Sequence, residues 1–157
     1  MATGTINLQA GSPDLMTCGI DAGTVVGPRE VFAIASAQYR MKRIVLPANY
    51  VSGLVCKLIC QMVTATSGTV IANVALDAKT PGSDDLVDTA DYGAENASAE
   101  VTVPDAVTKE FQVPITLTDI DSAEAGDDVR VRVTITAGGS ATDKLNLLHA
   151  YLEYTTS

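Results

Sequence analysis

Two-residue alternation of apolar and polar side chains is the feature that most constrains this chain. Phe111, Val113, Ile115 and Leu117 alternate with Gln112, Pro114, Thr116 and Thr118. Val129, Val131, Val133 and Ile135 alternate with Arg130, Arg132, Thr134 and Thr136. Successive side chains of a strand point to opposite faces, so each stretch has one apolar face and one polar or Pro-bearing face. That is the pattern of an antiparallel sheet packed on one side. Pro114 has no N–H to give to a ladder, which predicts an edge strand or a bulge in its segment.

The same period appears earlier. In "LVCKLICQMV" the even positions Leu54, Cys56, Leu58, Cys60 and Met62 are all apolar. "TATSGT" follows as a turn signal, and then Val70, Ala72, Val74 and Leu76 alternate with Ile71, Asn73, Ala75 and Asp77. The pair predicts a β-hairpin with one buried face. Over 145–155, Leu148, Ala150, Leu152 and Tyr154 share a face, with His149 and Tyr151 on the other. Segments 31–35 and 39–46 read as strands, and "MKRIV" interrupts the alternation, predicting a bulge near Lys42–Arg43. Residues 2–9 supply a further strand. The stretch 77–100 is the longest without strand pattern and has room for a short helical turn within 84–92. About eight strands result, and an all-β chain of this kind closes as a two-sheet sandwich, a jelly roll or a barrel. Residues 1–27 read as an N-terminal arm or first strand, and 28–157 as a single β-sandwich domain.

Charge removes several function classes. The chain carries 10 Lys+Arg against 19 Asp+Glu, a net −9, with no basic run. Sequence-independent nucleic-acid binding needs a cationic surface to displace counterions, and an anionic membrane repels so acidic a chain. The first residues show neither a basic nor an apolar leader region, and the apolar runs are too short to span a bilayer. No nucleic acid and no membrane are therefore expected as partners. The odd count of three Cys, without framework spacing, predicts reduced thiols in a protein made in a cytoplasm.

The remaining reactive groups read as structural. Cys56 and Cys60 are four residues apart on a strand, about 13 Å between Cα atoms at about 3.3 Å per residue. A disulfide needs about 7 Å or less, and one zinc with Zn–S near about 2.3 Å cannot bridge the gap. The thiols and Met62 are expected in the core; Cys18 has no His near it in sequence. His149 is the one histidine. No G-x-S-x-G elbow accompanies it, and Ser140 lies in a Gly-rich turn, so a structural or surface role is expected. Asp84, Asp85, Asp88 and Asp91, or Asp119, Asp121 and Asp127, could converge on Ca²⁺, but neither group has EF-hand spacing. Paired carboxylates for glycoside hydrolysis usually come with aromatic platforms, and Trp is absent. Solvated loops are the expected role of these acids. Arg130 and Arg132 share one strand face, where they either pair with acids across the sheet or meet a neighbouring subunit.

"LPANYVSGLVCKLICQMVTATSGTVIANVAL" (46–76), "GDDVRVRVTIT" (126–136) and "HAYLEYT" (149–155) together resemble jelly-roll domains of tailed-bacteriophage virions. Pro47, Tyr50, Gly53, Ser67, Gly68, Gly126, Asp127, Glu153 and Tyr154 carry the resemblance, which covers roughly residues 30–155. Cys56 and Lys57 depart from it, standing where apolar or aromatic residues are common. The resemblance implies a jelly-roll-like two-sheet antiparallel β-sandwich and a virion structural role. The expected function is a capsid decoration (cement) protein on the outer head surface, made in the host cytoplasm. It would be non-catalytic and without a cofactor, binding the major capsid protein as a homotrimer. Its interface candidates are Thr5, Ile6 and Leu8 of an N-terminal latch, with Arg130 and Arg132. The alternative is a receptor-binding or tail- or head-fibre tip module, for which an exposed pocket walled by Tyr39, Tyr50, Tyr92 or Tyr151 would speak.

Overall fold

The computed structural model describes residues 1–8, 20–21, 24–25, 30–33, 39–83, 91–137, 141 and 144–157. Among them are twelve strands and no helix: β1 (Thr3–Asn7), β2 (Ile20–Asp21), β3 (Thr24–Val25), β4 (Glu30–Ala33), β5 (Tyr39–Val45), β6 (Tyr50–Met62), β7 (Thr69–Lys79), β8 (Asn96–Ala97), β9 (Val101–Thr102), β10 (Glu110–Thr116), β11 (Asp128–Ala137) and β12 (Lys144–Thr156). One five-stranded sheet runs β1-β12-β6-β10, with β4 also on β12. The other runs β5-β11-β7-β8, with β9 also on β7, and β2–β3 form a separate ribbon.

Every pairing is antiparallel. Let β1 and β4 share the first place along the chain, and β8 and β9 the fifth. First then pairs with eighth (β12), second (β5) with seventh (β11), third (β6) with sixth (β10), and fourth (β7) with fifth. The β12–β6 and β11–β7 ladders join these pairs into two sheets. That is a jelly roll, and the expectation of an all-β two-sheet sandwich holds.

The alternating faces meet in the middle. Leu54, Cys56, Leu58, Cys60 and Met62 of β6 are buried, as are Val70, Ala72, Val74 and Leu76 of β7. Val113 and Ile115 join them, together with Val129, Val131, Val133 and Ile135 of β11 and Leu152 of β12. Among the described residues β10 pairs only with β6, so Pro114 does lie on an edge strand, opposite Lys57. Gly4 of β1 is required by contact: a Cβ there would lie 2.2 Å from the Tyr154 ring.

Three local expectations are corrected. β6 and β7 are not a hairpin, because each belongs to a different sheet and the segment between them arches across the sandwich. There is no bulge at Lys42–Arg43, since β5 runs in unbroken register against β11 from Tyr39↔Thr134 to Val45↔Asp128. Arg40 and Lys42 instead take half-buried positions in line with buried Ile44. Long basic side chains bury their apolar stems, so the alternation persists where the residue types hide it. Such charges also guard an edge strand against promiscuous pairing. The third correction is Leu148. A register shift between Leu147 and His149 changes the inward set from Leu145 and Leu147 to Ala150, Leu152 and Tyr154, leaving Leu148 half-buried in the bulge. The helical turn expected within 84–92 falls almost wholly outside the described residues.

One end of the sandwich is tied by a buried amide. Asn96 Oδ1 accepts the N–H groups of Thr118 (2.8 Å) and Asp119 (2.9 Å). Its Nδ2 donates to the carbonyls of Asp119 (2.7 Å) and Val74 (3.2 Å). β8 is thereby fixed both to β7 and to the 117–127 loop from the other sheet. Asn96→Ala should destabilise the fold by about 2–4 kcal/mol, because buried N–H groups lose their acceptor. Urea unfolding of the two proteins measures the difference. Asn96→Asp should not restore the loss, since a carboxylate would face the Val74 and Asp119 carbonyl oxygens.

Candidate interaction surface

The residues singled out in the sequence fall into two groups. Thr5 is exposed and Ile6 half-buried on β1, where they pair with Glu153 and Leu152 of the same chain. Leu8 is a core residue, and its N–H donates to the Ala150 carbonyl at 2.8 Å. Residues 9–19 of the expected arm lie outside the described residues. Arg130 and Arg132 stand on the outer face of the β5-β11-β7 sheet, half-buried, with acids of their own chain.

That face is an ordered charge grid. Register places Arg43 directly opposite Arg130, and Arg130 opposite Asp77. Like charges facing each other across a ladder repel. The two guanidiniums turn to different acids. Arg43 Nε donates to Asp128 at 2.7 Å and its Nη2 to the same carboxylate. Arg130 Nη1 lies 3.6 Å from Asp77, whose other oxygen is 3.4 Å from Lys79 Nζ. Asp77 is fully buried. Arg132 bonds Glu95 at 3.1 Å and covers the Tyr92 ring, 4.4 Å from its centroid. The Tyr92 hydroxyl donates to Met41 Sδ at 2.9 Å.

Beyond the grid the face becomes apolar. Among the described residues the large exposed apolar side chains are Met1, Tyr39 (56% exposed), Met41 (50%), Val45 (64%) and Val51 (50%). Three of these five project from the outer side of β5, with Arg43 between Met41 and Val45. Val51 belongs to a cleft of about 360 Å³ at the Asn96-tied end, walled by Tyr50, Leu54, Leu117, Ile120 and Ala123, with exposed Glu124 on its rim. Beside it, sharing Thr118 and Ile120, lies a shallower depression bearing Asp119 and Asp121.

Other candidates are committed elsewhere. Cys56 and Cys60 are buried thiols in the core, and burial pushes Cys56 up to about 12. Cys60 is pushed up too, first by burial and then by Cys56. His149 lies against Tyr151, with ring centroids 5.3 Å apart, on the outer face of the other sheet. Asp121 accepts the Ala78 N–H at 2.7 Å, Asp119 the Asp121 N–H at 3.3 Å, and buried Asp127 the Glu124 N–H at 2.8 Å. Asp119 and Asp127 serve the backbone of their own loop, and Asp121 ties that loop to β7. Asp84, Asp85, Asp88, Cys18 and Ser140 lie outside the described residues. The four tyrosines do not converge: Tyr50 packs on Tyr154 at 6.0 Å between centroids, and Tyr151 is on the opposite sheet from Tyr39 and from Arg132, which covers the Tyr92 ring.

Sequence reasoning missed the β5 face, Asn96 and the burial of Asp77. "YRMKRIV" carried a usable signal, because its odd positions Tyr39, Met41 and Val45 are apolar on a strand whose inward positions include two cations. Nothing in the letters marked Asn96 or Asp77.

No protein-family model matches the chain, and no curated protein does. Among solved structures it is similar to chains in the structures of infectious bursal disease virus, Gt strain and Gx strain. Both matches have 10% identity and a TM-score of 0.35. They cover 89% and 90% of this chain and 37% and 38% of the matched chains, so the chain spans well under half their length.

Two outcomes follow from the site. In a Cys18→Ser background, a thiol reagent at mildly alkaline pH should leave Cys56 and Cys60 unmodified until denaturant is added; spectrophotometric thiol titration reads this. The Arg43 guanidinium, chiefly through its hydrogen bonds, holds the Asp128 carboxyl below its ordinary 3.8. A depressed folded-state value stabilises above the ordinary carboxylate range and is lost as pH falls through the folded-state value. The stability gap between wild type and Arg43→Ala should therefore be widest near neutrality and close in acid, as urea midpoints across that range would show.

Proposed function

We propose that this chain is a non-catalytic structural protein of a virion, and specifically a bacteriophage capsid decoration (cement) protein. In this reading it binds the outer head surface and bridges neighbouring major capsid subunits. The observation that carries the proposal is the completed jelly-roll pairing together with the placement of the residues that resemble phage virion domains. Pro47 accepts the Tyr50 N–H at 2.9 Å, and Tyr50 packs on Tyr154. Gly126 N–H donates to the Leu46 carbonyl, and Leu46 N–H to Asp127, both at 2.9 Å. These residues gather at one end and lock the β5–β6 turn to the 117–127 loop and the C-terminal strand. They are framework, which is what an adhesive module requires. Several described ionisable groups are spent likewise, Arg43 on Asp128, Lys57 on Glu153, Arg132 on Glu95 and Asp127 on the Glu124 N–H.

Adhesion then works through area and charge rather than bond chemistry. A rigid two-sheet body presents fixed surfaces, and each copy adds contacts that span subunit boundaries and resist outward pressure from packaged DNA. Partners in this reading are the major capsid protein and further copies of the chain, as a homotrimer. A second reading is a receptor-binding or fibre-tip module. The cleft with Tyr50 in its wall favours it, although that ring is nearly buried.

Quantitative mass spectrometry of purified particles, with imaging of a tagged chain, separates the readings. Hundreds of copies over the head are expected for decoration. A few copies at the tail or at a fibre end would overturn it in favour of the tip module.

A further inference from the structure

We infer that Met41 is an oxidation site whose product is received by Tyr92: a hydroperoxide delivers an oxygen atom to the exposed sulfur, and the Tyr92 hydroxyl then holds that oxygen. Among the described methionines, Met1 is fully exposed, Met41 is 50% exposed and Met62 is 2% exposed. An oxidant in solution therefore reaches Met41 on the outer side of β5 and does not reach Met62 between the sheets.

The donor for the product is already in place. The Tyr92 hydroxyl donates to Met41 Sδ at 2.9 Å. Its ring is fixed from the other side, because Arg132 lies 4.4 Å from the ring centroid and is itself bonded to Glu95 at 3.1 Å. Arg132 stands directly opposite Met41 in the β5–β11 register, so the three side chains form one cluster on the outer face. Burial raises the Tyr92 hydroxyl above its ordinary 10.0, so it remains a donor well past neutrality. The contact fastens β5, which pairs with β11 alone among the described residues, to the segment that leads into β8.

In the reaction a sulfur lone pair attacks the terminal oxygen of the hydroperoxide. An S–O bond forms and the O–O bond breaks. The sulfur gives up two electrons, the peroxide accepts them, and the proton of the transferred oxygen leaves with the other fragment as an alcohol, or as water from hydrogen peroxide. A thioether sulfur is a weak acceptor. The sulfoxide that replaces it is polar and carries a strong acceptor oxygen. Met has three rotatable bonds, so its tip can turn that oxygen to the waiting hydroxyl. Oxidation of a core methionine disrupts packing, but here the polar product meets a donor at the surface. It strengthens the fastening of β5 and removes the middle member of the exposed apolar set Tyr39, Met41 and Val45.

The inference is independent of the virion reading and is tested on the purified chain. Hydrogen peroxide is applied to the folded protein and peptide mapping locates the added oxygen. Met41 should be converted alongside Met1, with Met62 unmodified until denaturant is added. Melting temperatures of wild type and Tyr92→Phe are then compared before and after oxidation; this substitution removes the hydroxyl and keeps the ring under Arg132. The loss caused by Tyr92→Phe should be larger in the oxidised protein by about 2–4 °C, the shift expected from one hydrogen bond in a chain of this size. The excess should vanish in a Met41→Leu background, which subtracts oxidation elsewhere. A Met41 that stays unmodified while Met1 is converted, a Tyr92→Phe loss that does not grow on oxidation, or an excess that persists with Met41→Leu would each overturn the inference.

Discussion

The ladder between β12 and β6 sets the phase of the whole sandwich. These two thirteen-residue strands lie side by side in the middle of one sheet and contribute much of its inward face. Strict alternation along β12 could not bury both Leu145 and Leu147 at one end and Ala150, Leu152 and Tyr154 at the other. The two sets have opposite parity, and a one-residue slip turns side chains to the other face. The irregularity between Leu147 and His149 absorbs the mismatch, so both halves of β12 face inward against one continuous β6. Without that extra residue, one half would turn its leucines to solvent. A bulge of this kind belongs to the design of a strand and is not an error in it.

The second sheet solves a different problem. Its outer face must carry cations on β5 and β11 without letting Arg43 and Arg130, placed opposite each other, repel. Acids on either flank divide them, Asp128 taking Arg43 and Asp77 taking Arg130. Asp77 lies beneath Arg130 and Lys79 and close to Tyr92, and it is fully buried. Removing one partner of a buried ion pair leaves an uncompensated charge, so these groups are held together more tightly than exposed pairs would be. The same face thus has a fixed, neutralised interior and an outer margin, Tyr39 to Val45, where apolar surface is uncovered.

Much of the fold was legible in the sequence because burial on one face imposes a period of two on residue type. Leu54 to Met62, Val70 to Leu76 and Val129 to Ile135 show that period and occupy the core. Pro114 was legible for a separate reason: a missing N–H excludes it from a doubly paired strand. Alternation says which face of a strand is buried but not which strand is its neighbour. The arch joining β6 to β7 was therefore misread as a hairpin. It also assumes that inward residues look apolar, and this failed at Arg40 and Lys42, whose stems do the burying. The site was less legible than the core. Arg130 and Arg132 were found as aligned cations, but the exposure of Tyr39, Met41 and Val45 depends on β5 being an edge strand. That is a property of topology and not of local pattern.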